Sequence, residues 1–277
     1  MKKRSKVLLS LLGISLLLAG CGAKKEATKE SSAPKEDKVI KVATALDSSE
    51  KILDIANKEA EKEGYKIEVV RVNDNVQYNK LLNDKEVDAN FSQHGPYMEE
   101  FNKANNGNLV IAQKVYDARV GFYSKDYKKI EDIPDNGKVA IPNDASNQGR
   151  ALAILDEKGL IKLKEGVGFN GTVKDIVENP KHFEFIEIDL LNLASAYDEK
   201  GIVLVYNYPT YLTKIGLTPE DALFLEKPND NHYAISVAAR EDNIDSEKIK
   251  VLKKSVASDA VRNYLKEEHG ESLVPSF

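Results

Sequence analysis

Four histidines, one cysteine and a scatter of carboxylates are the residues of this 277-residue chain that could do covalent or metal chemistry. The histidines are His94, His182, His232 and His269, and none pairs with another at metal-ligand spacing. The lone Cys21 has no disulfide partner within its own chain. An enzyme would need a nucleophile beside a base, or a metal cluster. Asp88 and His94 are the one tempting pair, but Asp88 begins a predicted strand and His94 follows it, so nothing places them together. No catalytic residue, cofactor or metal is therefore expected. The favoured reading of His94 is a pocket residue making orienting hydrogen bonds, with Gln93 beside it and Tyr97 offering a ring with a polar tip. Tyr97 reads equally well as a packing residue.

Cys21 carries different chemistry. Lys2, Lys3, Arg4 and Lys6 precede an apolar run from Val7 to Ala19, and then come Gly20 and Cys21. A basic start, a short apolar run and small residues form the pattern of an export signal. A run of about 13 residues falls short of the roughly 20 that a spanning helix needs. Leu18-Ala-Gly-Cys21 resembles the bacterial lipobox, which implies a Cys joined to diacylglycerol that becomes the new N-terminus. An ordinary signal peptide with a stray thiol is the alternative. Two acyl chains suffice for stable anchoring. The expected order is a lipoprotein signal peptide at 1–20, then the lipidated Cys21 and a flexible tether to 38, with the body held on the outer face of a single cell membrane. The tether has no large apolar residue and cannot build a core. As a random coil its ends lie roughly 20–25 Å apart.

Without residues 1–20 the chain keeps 36 Lys and Arg against 45 Asp and Glu, a formal charge of −9. That argues against a phosphate-backbone binder, which would show a basic face, so no nucleic-acid partner is expected, and it argues against broad adhesion to anionic lipid. About 240 residues remain, enough for one large core or two smaller ones.

The elements that must position these side chains come in two runs. Val39–Ala43 reads as a strand, and Asp47-Ser-Ser-Glu50 fits a capped helix start. Ile52, Ala56 and Ala60 then share one helical face, and Gly64 ends that helix. Strands at Ile67–Val72 and Val87–Phe91 follow, with helices near 76–84 and after Pro96. The rhythm restarts with a strand at Val139–Ile141, a loop, a helix from about Asn147 to Lys158, and strands at Phe185–Ile188, Ile202–Tyr206 and 232–239 before two final helices. Strand alternating with helix predicts parallel α/β sheets. Two such units predict two lobes and a cleft, with ligand at the carboxyl ends of strands.

Several stretches resemble one family. Asp88-Ala-Asn-Phe-Ser-Gln-His-Gly-Pro-Tyr97 is similar to the DAN-x-x-QH-x-PY segment of the NlpA/MetQ lipoproteins, and Ile141-Pro-Asn-Asp-Ala-Ser-Asn-Gln-Gly-Arg-Ala-Leu152 resembles their PND-x-(S/T)N-x-GRAL segment. Gly159–Lys164, Val177–Pro180, Ile215–Pro219 and Arg240–Asn243 also fit, in order, across 39–277. The resemblance implies an α/β, type II periplasmic-binding-protein fold: two lobes joined by two crossover strands, lobe 1 at 39–118 and 226–277 and lobe 2 at 119–225. It implies a monomeric substrate-binding lipoprotein that delivers methionine, or a related amino acid or short peptide, to an ABC permease and its ATPase. A surface lipoprotein with an adhesive role, or an enzyme on the same fold, is the alternative.

A zwitterionic amino acid needs a cation for its carboxylate, and a guanidinium gives a planar two-toothed grip. Arg150 is expected to supply it from the first turn of its helix, where free N–H groups also favour an anion, with Gly149 leaving room for close approach. A surface Arg or an inter-lobe ion pair is the alternative for Arg150. Asn143 and Asn147 flank the loop as polar contacts or helix caps. Asn207 matches the family's Asn at a strand end and would take the ligand's ammonium or carboxylate, or else form a turn.

Three departures converge on the side-chain pocket. Methionine-binding members usually carry aromatic residues where this chain has Asn75 and Ser92, and aromatic faces suit a thioether. Tyr78, one turn from Asn75, is placed to substitute in part, and Phe91 should point to the opposite side of its strand from Ser92. The segment Asn207-Tyr-Pro-Thr-Tyr211 is one residue longer than the family's, and Pro209 reshapes it. A roomier or more polar site is expected.

Overall fold

The computed structural model describes residues 37–227 and 230–277. The expected signal peptide, Cys21 and the expected tether as far as residue 36 lie outside the described residues.

The body opens with β1 (Val39–Thr44) and α1 (Asp47–Lys62), which buries Ile52, Leu53, Ala56 and Ala60 on one face. The expected cap at Asp47 is not formed. Leu46 precedes the first turn, no side chain caps it, and the Asp47 carboxylate is taken by Arg71. Gly64 closes the helix at φ +78°, a left-handed position that suits glycine. Then come β2 (Lys66–Arg71), α2 (Gln77–Asn83), β3 (Ala89–Gln93), α3 (Gly95–Asn105), β4 (Leu109–Ala118) and β5 (Gly121–Tyr123). The middle of the chain gives β6 (Lys138–Pro142), α4 (Ala145–Glu157), the two-stranded β7 (Lys162–Leu163) and β8 (Ile176–Glu178), β9 (Glu184–Ile188), β10 (Ile202–Asn207), the short α5 (Pro209–Leu212) and β11 (Ala222–Leu225). The chain ends with β12 (Ile235–Arg240), α6 (Glu247–Val256), α7 (Asp259–Tyr264) and β13 (Leu273–Pro275). Ser246 and Ser258 cap α6 and α7 with their hydroxyls, leaving both helix starts satisfied.

Two larger sheets result. One runs β13-β4-β12-β3-β1-β2, the other β11-β5-β10-β6-β9. The predicted parallel pairing holds where strands alternate with helices: β1 with β2 and β3, and β6 with β9 and β10. Both sheets are mixed, because β12 runs antiparallel to β3 and β4, and β5 antiparallel to β10 and β11. The chain crosses between sheets twice, at Arg119–Val120 and after Leu225. These two segments pair: Glu226 N–H donates to the Val120 carbonyl at 3.0 Å. Gly121 permits this close approach, since a Cβ there would lie 2.8 Å from the Phe224 carbonyl oxygen. Among the described residues no helix is long and apolar enough to cross a membrane.

Candidate functional site

The β3–α3 corner carries the first group of candidate residues. As an inner strand, β3 is buried at every position. Phe91 packs its ring edge-on against Tyr116 at 5.9 Å, while Ser92 points the opposite way. The Ser92 hydroxyl accepts from the Ala45 N–H at 2.6 Å and lies 3.0 Å from the Thr44 hydroxyl. Gln93 belongs to a buried amide cluster. Its Nε2 donates to Asn79 Oδ1 and Asn90 Oδ1, and its Oε1 accepts from Asn79. These bonds fix the Gln93 orientation and leave no amide of this cluster unpaired, as polar burial requires.

His94 caps α3. Its Nδ1 accepts from the Tyr97 N–H at 3.2 Å, so Nε2 carries the proton and donates to Asn147 Oδ1 at 3.3 Å. Burial, reinforced by the nearby Arg150 charge, lowers the His94 pKa to about 3. The imidazole is therefore neutral at physiological pH, which suits a fixed donor and not a proton shuttle. The Tyr97 hydroxyl donates to the Asn75 carbonyl at 2.9 Å.

The facing group is built on α4. Asp144 caps this helix, accepting from the Asn147 N–H at 2.9 Å. Neither Asn143 nor Asn147 is the cap: Asn143 is exposed, and the Asn147 amide donates to Asp144 while its Oδ1 faces His94. Because α4 begins at Ala145, Arg150 lies in its second turn and not the first. Its side chain is fully buried. Nε and Nη2 donate to the Glu226 carboxylate, Nη2 also to the Ala118 carbonyl at 3.2 Å, and Nη1 to the Tyr208 hydroxyl at 3.0 Å. The guanidinium lies 4.2 Å from the Tyr233 ring centre, within cation–π range. Gly149 does leave room for close approach, but it is the Phe169 carbonyl that uses it, 1.9 Å from where a Cβ would stand. The Tyr208 hydroxyl donates onward to Asn147 Oδ1 at 2.9 Å. A continuous line thus runs Glu226, Arg150, Tyr208, Asn147, His94, joining the second sheet to the first. Asn207, at the end of β10, is fully buried. Its Oδ1 accepts from the Tyr208 N–H, and its Nδ2 has no hydrogen-bond partner among the described residues.

A cavity lies between the two groups, with about 30 Å³ of water-accessible space, room for a water or two. Asn75, Ser92, Gln93, His94, Tyr97 and Asn147 all line it. Arg150 and Asn207 do not line it; Arg150 stands behind Tyr208 and Asn147. Tyr208, Thr210 and Tyr211 line it as well, from the segment whose extra length was noted in the sequence, where Pro209 opens the short α5. Sequence reading placed the segment 207–211 at the pocket without singling out Tyr208, Thr210 and Tyr211, and it missed Glu226. The strand-end position of Asn207 pointed at its neighbour Tyr208, whereas Glu226 follows a strand that sequence reading did not find. Among the described residues no group of three or more His, Cys, Asp and Glu could hold a metal ion.

A family model described as NlpA lipoprotein matches residues 40–277. The chain belongs to the NlpA lipoprotein family. It is 38% identical to the D-methionine-binding lipoprotein MetQ of Salmonella typhimurium over 91% of this chain and 90% of that protein. It is 35% identical to the methionine-binding lipoprotein MetQ of Bacillus subtilis over 96% of each. Among solved structures it resembles a YaeC-family lipoprotein from Enterococcus faecalis at 54% identity and TM-score 0.79, over 87% of this chain and all of that one. It also resembles a nutrient binding protein from Burkholderia cenocepacia bound to methionine, at 36% identity and TM-score 0.81, over 86% of this chain and all of that one. The two-lobed binding-protein fold of this family is the architecture described above.

Proposed function

We propose that this family member is the substrate-binding lipoprotein of an ABC importer, taking methionine or a related amino acid or short peptide into the cavity and presenting it to the permease and its ATPase. The observation that carries the proposal is the cavity walled jointly by strand ends of both sheets, with polar and apolar side chains side by side, in a chain whose relatives are named as methionine-binding lipoproteins. Lobe 1 comprises 39–118 and 226–277, lobe 2 comprises 119–225, and closure of one on the other gives both selectivity and a shape for the permease to read. Cys21 carries the lipid, and the monomeric body sits on the outer face of the cell membrane. Binding is the whole activity; no catalytic step is assigned.

In this reading Asn75, Ser92, Gln93, His94, Tyr97 and Asn147 surround the ligand. Asn207 offers its unpaired Nδ2 to the ligand carboxylate. Arg150, buried behind Tyr208 and paired with Glu226, acts at one remove by orienting the Tyr208 hydroxyl that lines the cavity.

Native mass spectrometry of the chain purified without refolding tests the proposal. A retained amino acid or peptide mass supports it. Ligand-dependent melting is the second measurement, since saturation at a hundredfold excess over Kd stabilises by about 2.7 kcal/mol. No retained mass and no melting shift with any amino acid or dipeptide would remove the proposal.

A further inference from the structure

The cavity wall has an unusual balance of chemistry. None of the side chains lining it is a carboxylate, an ammonium or a guanidinium, and its one titratable imidazole, His94, is hydrogen-bonded as the neutral form. The nearest full charges, Arg150 and Glu226, are buried behind Tyr208 and bonded to each other. An ionised ligand side chain entering this space would lose its water and gain no opposite charge, which is costly.

The wall is mixed: Leu46, Leu190 and Ile235 line it beside polar groups. Tyr78 is 1% exposed, lines the cavity, and its hydroxyl makes no hydrogen bond among the described residues. The Tyr211 hydroxyl, the Thr210 hydroxyl and the Asn75 side-chain amide line the same space and are likewise without a hydrogen-bond partner among the described residues. By contrast Ser92, Gln93, His94 and Asn147 spend their polar atoms on the protein. Two sets of polar groups therefore differ in role. The second set builds the frame, and the first set presents unused donors and acceptors to whatever fills the cavity. A buried hydroxyl left unpaired by an apolar ligand costs free energy that a hydrogen-bonding ligand recovers.

We infer that the site selects an amino acid whose side chain is uncharged and hydrogen-bonding, such as an amide or a sulfoxide, over a thioether or a carboxylate of the same length. The inference rests on the amino-acid-binding reading above and narrows its ligand class. Tyr78, Tyr211, Thr210 and Asn75 are the specificity-determining residues it assigns, with the Tyr78 hydroxyl the most enclosed of them.

Glutamine, methionine and glutamate have side chains of nearly equal length and differ in the chemistry at issue. Equilibrium titration of the full-length lipoprotein in detergent, stripped of ligand, should show glutamine or methionine sulfoxide binding about tenfold or more tighter than both methionine and glutamate, since sites built to hydrogen-bond reject analogues that cannot. Tyr78→Phe removes one oxygen and keeps the ring. It should weaken the polar ligand about five- to tenfold and leave methionine unchanged or tighter. Thr210→Val, at a partly exposed position, repeats the test should Tyr78→Phe fail to fold. Methionine or glutamate as the tightest ligand overturns the inference and leaves the amino-acid-binding reading standing. Equal loss of all ligands in a folded Tyr78→Phe variant overturns the assignment of Tyr78. Absence of binding by every free amino acid overturns both.

Discussion

Glu226 grips Arg150 along one edge of the guanidinium, with Nε donating to one carboxylate oxygen and Nη2 to the other. The two residues are 76 apart in sequence. The carboxylate also accepts from the Val120 N–H at 3.1 Å, so a single acid ties helix α4 to both segments that cross between the sheets. Breaking a buried pair by removing one partner strands the other charge and costs about 3–5 kcal/mol, whereas replacing both with apolar groups is often neutral. Arg150→Met and Glu226→Met should each lower the unfolding free energy by that amount, and the double variant should recover most of it. Urea denaturation of all four proteins checks this. Additive losses in the double variant would show that the pair is not coupled.

Acid should act on His94 in a defined window. Its pKa is about 3 in the folded chain against 6.5 for an unburied imidazole. Below pH 6.5 the unfolded chain binds a proton that the folded chain refuses, so stability falls with falling pH down to about pH 3, by about 1.4 kcal/mol per unit for this group alone. At and above pH 7 His94 contributes no slope. His94→Gln removes the titration and keeps an amide near Asn147. The difference in stability between the parent and His94→Gln should therefore change between pH 6.5 and pH 4 in favour of the variant, and stay constant from pH 7 to 8.5. Parallel curves across the whole range would mean that the imidazole is not held neutral.

Gly149→Ala tests why α4 carries a glycine in its second turn. An added Cβ would stand 1.9 Å from the Phe169 carbonyl oxygen and 2.8 Å from its carbonyl carbon, both backbone atoms that cannot rotate away. The 168–170 turn must move, and with it the Phe169 ring, which lies edge-on to Tyr233 at 5.4 Å. Overpacking of this kind costs about 1–3 kcal/mol. The melting temperature should fall by roughly 2–4 °C per kcal/mol, and ligand binding should weaken because Tyr233 packs on both Arg150 and His94. A variant that melts with the parent would mean that the turn is free to shift.

The parts of the fold legible in sequence were those with a strong local period. Ile52, Ala56 and Ala60 on one face of α1, Gly64 at its end, and the apolar run at Ile202–Tyr206 are local patterns that tertiary structure did not override. β4 was missed because Gln113, Lys114 and Asp117 interrupt its apolar residues, and its pairing with β12 spans more than a hundred residues. The cavity wall was legible where a motif placed neighbours together, at Gln93, His94, Tyr97 and Asn147, whereas Arg150 of the same motif stands behind that wall. The partner that neutralises Arg150 was not legible, because nothing local links Glu226 to α4. Asp47 shows the converse error: a sound capping pattern lost its acid to Arg71, a cation contributed by the neighbouring strand.

Asn207 presents the last test. Its Nδ2 is buried with no partner among the described residues, while its Oδ1 holds the Tyr208 N–H at 2.9 Å. An unpaired buried N–H costs about 1–3 kcal/mol, so the unliganded chain carries a penalty that a ligand oxygen would relieve. Asn207→Ala removes that penalty and the bond to Tyr208 together. These changes oppose each other, and the unliganded variant should unfold within about 1 kcal/mol of the parent. Its stabilisation by ligand should nevertheless drop, because the donor is gone. Asn207→Asp should lose binding further, since it sets a carboxylate where the ligand carboxylate is proposed to sit. Melting curves with and without the retained ligand separate the cases. If Asn207→Ala is destabilised by several kcal/mol yet gains as much from ligand as the parent does, Asn207 belongs to the scaffold of β10 and the ligand carboxylate is held elsewhere.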